Sequence, residues 1–228
     1  MIRLLLLPGL DGTGALFSRF LDAAPSDVRT EVVPLPADLV GYPELVQYFT
    51  SRLEVGPDTI LLAESFSGPL AISLAARHKL AGLILCNSFA VSPRSPLLGA
   101  LAAPFLFRLP APPFLLRHFL VGPEASTDTV RWVRGVLASV SRHTLTGRLS
   151  AVLAANAMAD LGRCRAPILY LRGLDDRLVP ETSIAALAAA ASIPVEVARI
   201  PGPHLLLQVA PDRSWEAIRP FLVRLTPA

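Results

Sequence analysis

The chain has 228 residues, of which 52% are hydrophobic and 17% are charged, and its formal net charge is +3. This length is enough for one domain with a complete core and an inserted segment, and the composition is that of a globular protein rather than a disordered chain. The basic residues are scattered without a run that could follow a phosphate backbone, which argues against nucleic-acid binding.

The two cysteines, Cys86 and Cys164, are too few for a disulfide framework or a zinc site. The N-terminal apolar run is too short for a secretory signal, and no small-residue cleavage site follows it. Prolines and arginines interrupt the apolar stretch from 96 to 121, so we expect no transmembrane segment. These features together favour a cytoplasmic location.

Short apolar runs bounded by Pro, Gly, Asp or Asn alternate with helical stretches. The predicted strands are Ile2–Leu7, Val28–Val33, Thr59–Ala63, Leu83–Cys86, Ile168–Leu171 and Val195–Ile200. The predicted helices are Ala15–Ala24, Glu44–Leu53, Gly68–Lys79, Glu181–Ala191 and Pro211–Leu225, the last bent or ended by Pro220. The alternation predicts an α/β fold, in which helices flank a mostly parallel central sheet of about six strands. The carboxyl ends of its strands then share one edge.

The interval from Ser92 to about Ala166 breaks this alternation because it contains no clear strand. A proline-punctuated apolar part is followed there by two helical stretches, Thr127–Ser141 and Leu145–Leu161. We interpret residues 92–165 as a helical cap inserted between two parts of a core, 1–91 and 166–228. The alternative is extra scaffold packed at one side of the sheet.

A candidate nucleophile lies in residues 59–71, TILLAESFSGPLA. A buried strand gives way there to an Ala-rich helix, and Ser65 occupies the tip of the turn. Such a turn strains the backbone of its central residue and needs small residues two positions away on either side. Ala63 and Ser67 meet that need where the usual G-x-S-x-G pattern has glycine. The alternative is that Ser65 or Ser67 only caps the helix.

A serine hydroxyl needs a base to remove its proton, and His204 is the candidate base. It follows the last predicted strand at the same sheet edge as Ser65, a setting that the other histidines lack; the alternative is a surface loop histidine. The acid that orients the imidazole is expected after the strand Ile168–Leu171. Two adjacent acids occur there; we choose Asp176, with Asp175 as the alternative, and either can instead cap the next helix.

The first predicted strand runs into a glycine-rich turn, PGLDGTG, at residues 8–14. The glycine spacing does not give a dinucleotide-binding pattern, and no lysine follows as in a phosphate-binding loop. We interpret the turn as part of an oxyanion hole. The backbone amides of Leu10 and Phe66 are expected to hold the negative oxygen of a tetrahedral intermediate.

These segments resemble the α/β-hydrolase superfamily over essentially the whole chain, at residues 8–14, 64–68, 173–180 and 202–204. The resemblance implies a triad in the chain order Ser, Asp, His, an acyl-enzyme intermediate and no cofactor or metal. It also implies a fold that lacks the first hairpin, because the chain starts at what resembles the third strand. The turn at 8–14 is similar to one in plastid phytyl-ester synthases and related acyltransferases.

Three functions fit these residues. The first is hydrolysis of a small-molecule carboxylic ester with an apolar acyl group, the second is acyl transfer or thioester hydrolysis by the same triad, and the third is a non-enzymatic ligand receptor. One apolar set either lines an acyl pocket or packs the cap on the core: Leu97, Leu98, Phe105, Leu106, Phe107, Phe114, Leu115 and Leu116. The sequence leaves the oligomeric state open.

Overall fold

The fold is built on a six-stranded sheet in a computed structural model that describes residues 2–93 and 112–225. Each neighbouring pair of strands is parallel, and the order is β2-β1-β3-β4-β5-β6. The strands are β1 (Arg3–Leu7), β2 (Arg29–Val32), β3 (Thr59–Glu64), β4 (Gly82–Cys86), β5 (Ile168–Gly173) and β6 (Val195–Ile200). The predicted parallel α/β sheet is therefore confirmed, with strand ends shifted by one or two residues.

Helices cover both faces of the sheet. They are α1 (Ser18–Asp22), α2 (Tyr42–Arg52), α3 (Gly68–Ala75), α4 (Pro113–Leu116), α5 (Thr127–Ser139), α6 (Arg142–Leu153), α7 (Met158–Arg163), α8 (Glu181–Ala190), α9 (Leu206–Val209) and α10 (Pro211–Leu225). Alternate side chains of the central strands enter two separate cores, because successive residues of a strand point to opposite faces. One core contains Leu5, Leu61, Leu85 and Tyr170. The other contains Leu4, Ile60, Ile84 and Leu169.

One helix prediction was wrong, and the last predicted helix, Pro211–Leu225, is confirmed as α10. The predicted helix Leu145–Leu161 is two helices, α6 and α7, because the chain between them forms a short antiparallel bridge of Asn156 with Val91. Pro220 lies inside α10 and does not end it. Ile218, Phe221 and Leu222 are buried around that proline, and this packing outweighs the hydrogen bond that proline removes.

Between β4 and β5 the described chain contains helices joined by loops and no strand beyond that bridge, and α4 is followed by a π-helical turn, Arg117–Val121. Apolar side chains of this segment pack against the loop after β6 and the start of the chain: Leu116, Val121, Val130 and Val133 form a cluster with Leu16 and Leu205. Leu97, Leu98 and Phe105–Phe107 lie outside the described residues. The division at 92 and 165 stays a prediction.

In the sheet, β2 lies on one side of β1, and β3, the next strand along the chain, lies on the other side. In open parallel sheets, the crevice at such a change of direction is where ligands bind. The turn after β1 and the turn after β3 meet at this crevice. Among the described residues, no helix is both long enough and apolar enough to cross a bilayer.

Candidate active site

Ser65 lies directly after β3 in a left-handed backbone conformation, with φ 47°. This conformation is strained for a residue with a side chain, and it turns the serine out of the sheet edge. The turn is held in place because the Ser88 hydroxyl donates to the Ser65 carbonyl over 2.6 Å. Ser67 does not cap the helix; its hydroxyl donates to the carbonyl of Pro8 instead.

The structure brings together the three residues that the sequence singled out. His204 Nε2 lies 2.9 Å from Ser65 Oγ, and His204 Nδ1 lies 2.9 Å from Asp176 Oδ1. A carboxylate only accepts hydrogen bonds, so Nδ1 carries the proton in the neutral imidazole and Nε2 is free to accept one from Ser65. This is the arrangement that a serine nucleophile with a general base requires.

Asp176 is buried, whereas Asp175 is exposed, and only Asp176 reaches His204. Its Oδ1 also accepts the backbone N–H of Leu178 at 2.8 Å and of Val179 at 3.2 Å. Burial raises the pKa of this carboxyl, but the charge of His204 and these hydrogen bonds outweigh it and lower the pKa below its ordinary value. Asp176 is therefore held as a carboxylate.

Burial by itself would lower the pKa of His204, but the charge and hydrogen bond of Asp176 raise it above its ordinary value. A raised pKa makes the imidazole a stronger base toward the Ser65 hydroxyl. It also stabilises the imidazolium that forms when the proton moves.

Asn87, directly after β4, was missed in the sequence. Its amide donates to the carbonyls of Pro203 (3.0 Å) and His204 (2.8 Å) and accepts the N–H of Gly173 (2.8 Å). One side chain thus connects the loop that contains His204 to the end of the strand that precedes Asp176. The sequence did contain an indication of this role, because Asn87 follows a predicted strand at the same sheet edge as Ser65.

Leu10 and Phe66 both lie against the cavity that contains Ser65. Phe66 is in the first turn after β3, where a backbone N–H has no acceptor within its own helix. The phenol of Tyr42 donates to the Phe66 carbonyl over 2.9 Å, and this bond holds the peptide that follows Phe66. These positions fit the predicted oxyanion donors.

The turn after β1 is anchored by Arg148, a fully buried residue of α6. Its guanidinium donates to the carbonyls of Leu10 (3.0 Å), Asp11 (2.9 Å) and Pro36 (2.9 Å). Gly12 makes room for it, because a Cβ there would lie 2.0 Å from Arg148 Nη1. No local pattern in the sequence indicates this role, since the accepting carbonyls are 112 to 138 residues away along the chain.

Glu64, immediately before the nucleophile, is a second buried carboxyl that sequence reasoning missed. It accepts a hydrogen bond from Gln208 at 3.1 Å, and its other oxygen has no partner among the described residues. Burial raises its pKa to about 7, although His204 and Gln208 lower it in part. Its charge state therefore changes near neutral pH, close to His204.

Ser65 and His204 open into a cavity of about 340 Å³, a size that suits a small molecule. Leu115 and Leu116 line it, which is one of the two roles considered for them, whereas Phe114 does not line it and is 67% exposed. Besides Leu10 and Phe66, the other apolar residues of the described chain that line the cavity are Leu16, Phe89, Phe119, Leu120, Val133, Leu137, Ala138, Val140, Leu145, Leu149, Val152, Leu178, Val179 and Leu205.

No protein-family model and no curated protein matches this sequence significantly. Solved structures do match it. An esterase from Exiguobacterium antarcticum superposes with a TM-score of 0.83 at 14% identity, over 99% of this chain and 92% of that one. This chain has the α/β-hydrolase fold.

Two further structures with this fold are similar to the chain. A thermophilic esterase from Thermogutta terrifontis gives a TM-score of 0.77 at 20% identity, over 100% of this chain and 91% of that one. An enol-lactonase from Burkholderia xenovorans gives 0.73 at 16% identity, over 97% and 91%. At these identities the likeness establishes the fold and leaves the activity to be argued from the site.

Proposed function

We propose that the chain is a serine hydrolase that cleaves small-molecule carboxylic esters with an apolar acyl group. The observation that carries this proposal is the hydrogen-bonded series Ser65, His204 and Asp176 on the floor of an apolar cavity. The likeness to two esterases and a lactonase supports it. In this proposal residues 92–165 act as a cap that supplies much of the acyl pocket.

Acylation begins when Ser65 Oγ attacks the ester carbonyl and His204 Nε2 takes its proton. The N–H groups of Leu10 and Phe66 hold the oxygen that becomes negative, and Asp176 stabilises the imidazolium. His204 then gives the proton to the alkoxy oxygen as the carbon–oxygen bond breaks. The alcohol leaves, and the acyl group stays on Ser65.

Deacylation repeats these steps with water as the nucleophile, which returns a free acid and the resting serine. An alcohol in place of water gives a new ester, and a thioester substrate changes only the leaving group. Ester hydrolysis, acyl transfer and thioester hydrolysis thus share one intermediate and differ in the groups that enter and leave.

The proposal is tested with a series of p-nitrophenyl acyl esters of increasing chain length and with a fluorophosphonate that labels activated serines. We expect turnover by the wild type, a loss of about 10⁴-fold or more in kcat for Ser65→Ala, and labelling at Ser65. Ser73→Ala is the matched control, because that serine lies on α3 and bonds Asp160 outside the cavity. Addition of alcohols measures acyl transfer in the same assay. An unlabelled Ser65 together with no turnover of any ester refutes the proposal and favours a receptor.

A further inference from the structure

Charge is distributed unevenly along the chain. Residues 92–165 contain nine arginines and three acidic residues, a formal charge of +6, although the whole chain carries only +3. The remainder is therefore negative, and no acid at all occurs from 129 to 159. The two longest helices of the cavity wall, α5 and α6, contain four arginines and one acid, and this excess of positive charge attracts anions over distances comparable to the Debye length.

Two of these arginines line the cavity itself: Arg134 on α5 and Arg142 in the first turn of α6. All 18 Asp and Glu side chains lie in the described ranges 2–93 and 112–225, and none of them forms an ion pair with either arginine. Both arginines are exposed, so they mark the part of the cavity that reaches solvent. The positive end of α6 adds to the potential at Arg142.

The two acids that line the cavity, Asp11 and Glu64, accept hydrogen bonds from other residues. Asp11 Oδ2 accepts hydrogen bonds from the Thr13 N–H at 2.9 Å and from the Thr13 hydroxyl at 2.6 Å. Glu64 is buried and bonded to Gln208. The cavity therefore has a catalytic floor, apolar walls and a cationic rim with no carboxylate of its own.

We propose that this rim binds an anionic group of the substrate. The preferred substrate is an acyl ester or thioester that carries a carboxylate or phosphate beyond its apolar part, and Arg134 and Arg142 hold that anion while the carbonyl reaches Ser65. Guanidinium groups bind both anions with paired hydrogen bonds. The inference rests on the proposed function and adds to it the class of substrate.

The first test compares p-nitrophenyl octanoate with the p-nitrophenyl monoester of suberic acid, which has the same chain length and ends in a carboxylate. We expect the wild type to prefer the suberate monoester at low salt. The double variant Arg134→Gln, Arg142→Gln is expected to lower kcat/KM for that ester by about tenfold, mainly through KM. The value for octanoate is expected to stay within about twofold.

The second test places the anion on the leaving group, by comparing octanoyl-coenzyme A with the neutral thioester octanoyl-N-acetylcysteamine. The wild type is expected to prefer the anionic member of one of the two substrate pairs, and the double variant is expected to lose that preference. If this happens in the suberate pair, the rim holds the end of the acyl chain; if it happens in the thioester pair, the rim holds the leaving group. Arg131→Gln is the matched control, since Arg131 is on α5 as well but pairs with Asp128 and does not line the cavity.

Normal turnover of octanoate with no anionic preference in either pair overturns this inference and leaves the proposed function standing. An equal loss in Arg131→Gln also overturns it, because the effect is then one of general charge. If no ester is turned over, calorimetry on Ser65→Ala decides the question separately. Tighter binding of monomethyl suberate than of dimethyl suberate, lost in the double variant, supports the rim site; equal binding overturns it.

Discussion

Arg148 offers a sharp test of how the segment between β4 and β5 supports the site. Arg148→Met keeps most of the side-chain length and removes the guanidinium that donates to the carbonyls of Leu10, Asp11 and Pro36. Hydrogen bonds to a charged group contribute about 1.5–3 kcal/mol each. The variant no longer has to bury a charge, and this gain offsets several kcal/mol of the lost stability. We expect the free energy of unfolding to fall by about 3 kcal/mol.

The same change is expected to lower kcat. Without its anchor the turn after β1 is free to rotate the Leu10 N–H away from the oxyanion, and loss of one such donor costs about 100-fold to 1000-fold. Urea unfolding followed by circular dichroism measures the stability, and ester hydrolysis measures kcat in the folded variant. Arg131→Met, the same substitution on the exposed face of α5, is the control. A stability within about 1 kcal/mol of wild type, or an unchanged kcat in a destabilised variant, refutes the reasoning.

Three other predictions concern the residues around His204. Asp176→Asn is expected to lower kcat by about 10⁴-fold, because an amide favours the wrong imidazole tautomer; a small loss contradicts the role of the acid. Asn87→Ala removes three hydrogen bonds between the two loops and is expected to cost about 2–3 kcal/mol in urea unfolding and to reduce kcat; an intact kcat argues against a positioning role. Glu64→Gln removes a carboxyl whose pKa rises from 4.5 to about 7 on folding. Since the folded state favours its protonated form, wild-type stability falls as pH rises from about 4.5 to about 7, so the variant is expected to gain up to about 3 kcal/mol relative to wild type at pH 8 compared with pH 4. It is also expected to shift the acid limb of kcat/KM to lower pH, because Glu64 raises the pKa of His204; a pH-independent stability difference contradicts this account.

The sheet and the three hydrogen-bonded residues were predictable because both follow from short-range patterns. Apolar runs of strand length determine the sheet, and parallel strands bring their carboxyl ends to one edge. Ser65, Asp176 and His204 each follow such a run, so their meeting needed no knowledge of the packing. Asn87 also follows such a run. It was not predicted from the sequence because only residues that react were sought, whereas an amide side chain positions its neighbours.

What the sequence did not reveal depends on contacts between distant parts of the chain. The break between α6 and α7 arises because Ala157 donates to Ala90 and Ser92 to Ala155, contacts that an isolated helical pattern does not contain. The burial of Arg148 is equally non-local. An arginine in a helix is ordinarily exposed, and only the carbonyls of the turn after β1 make its burial favourable.

The bond from Ser67 to Pro8 has a consequence beyond the local geometry. It joins residues 59 positions apart, one beside the nucleophile and the other beside the oxyanion turn. These positions meet only when β1 and β3 are paired in their native register, Leu7 opposite Ala63. The proposed activity therefore requires the native register of the two central strands, and its measurement would report whether the centre of the sheet is intact.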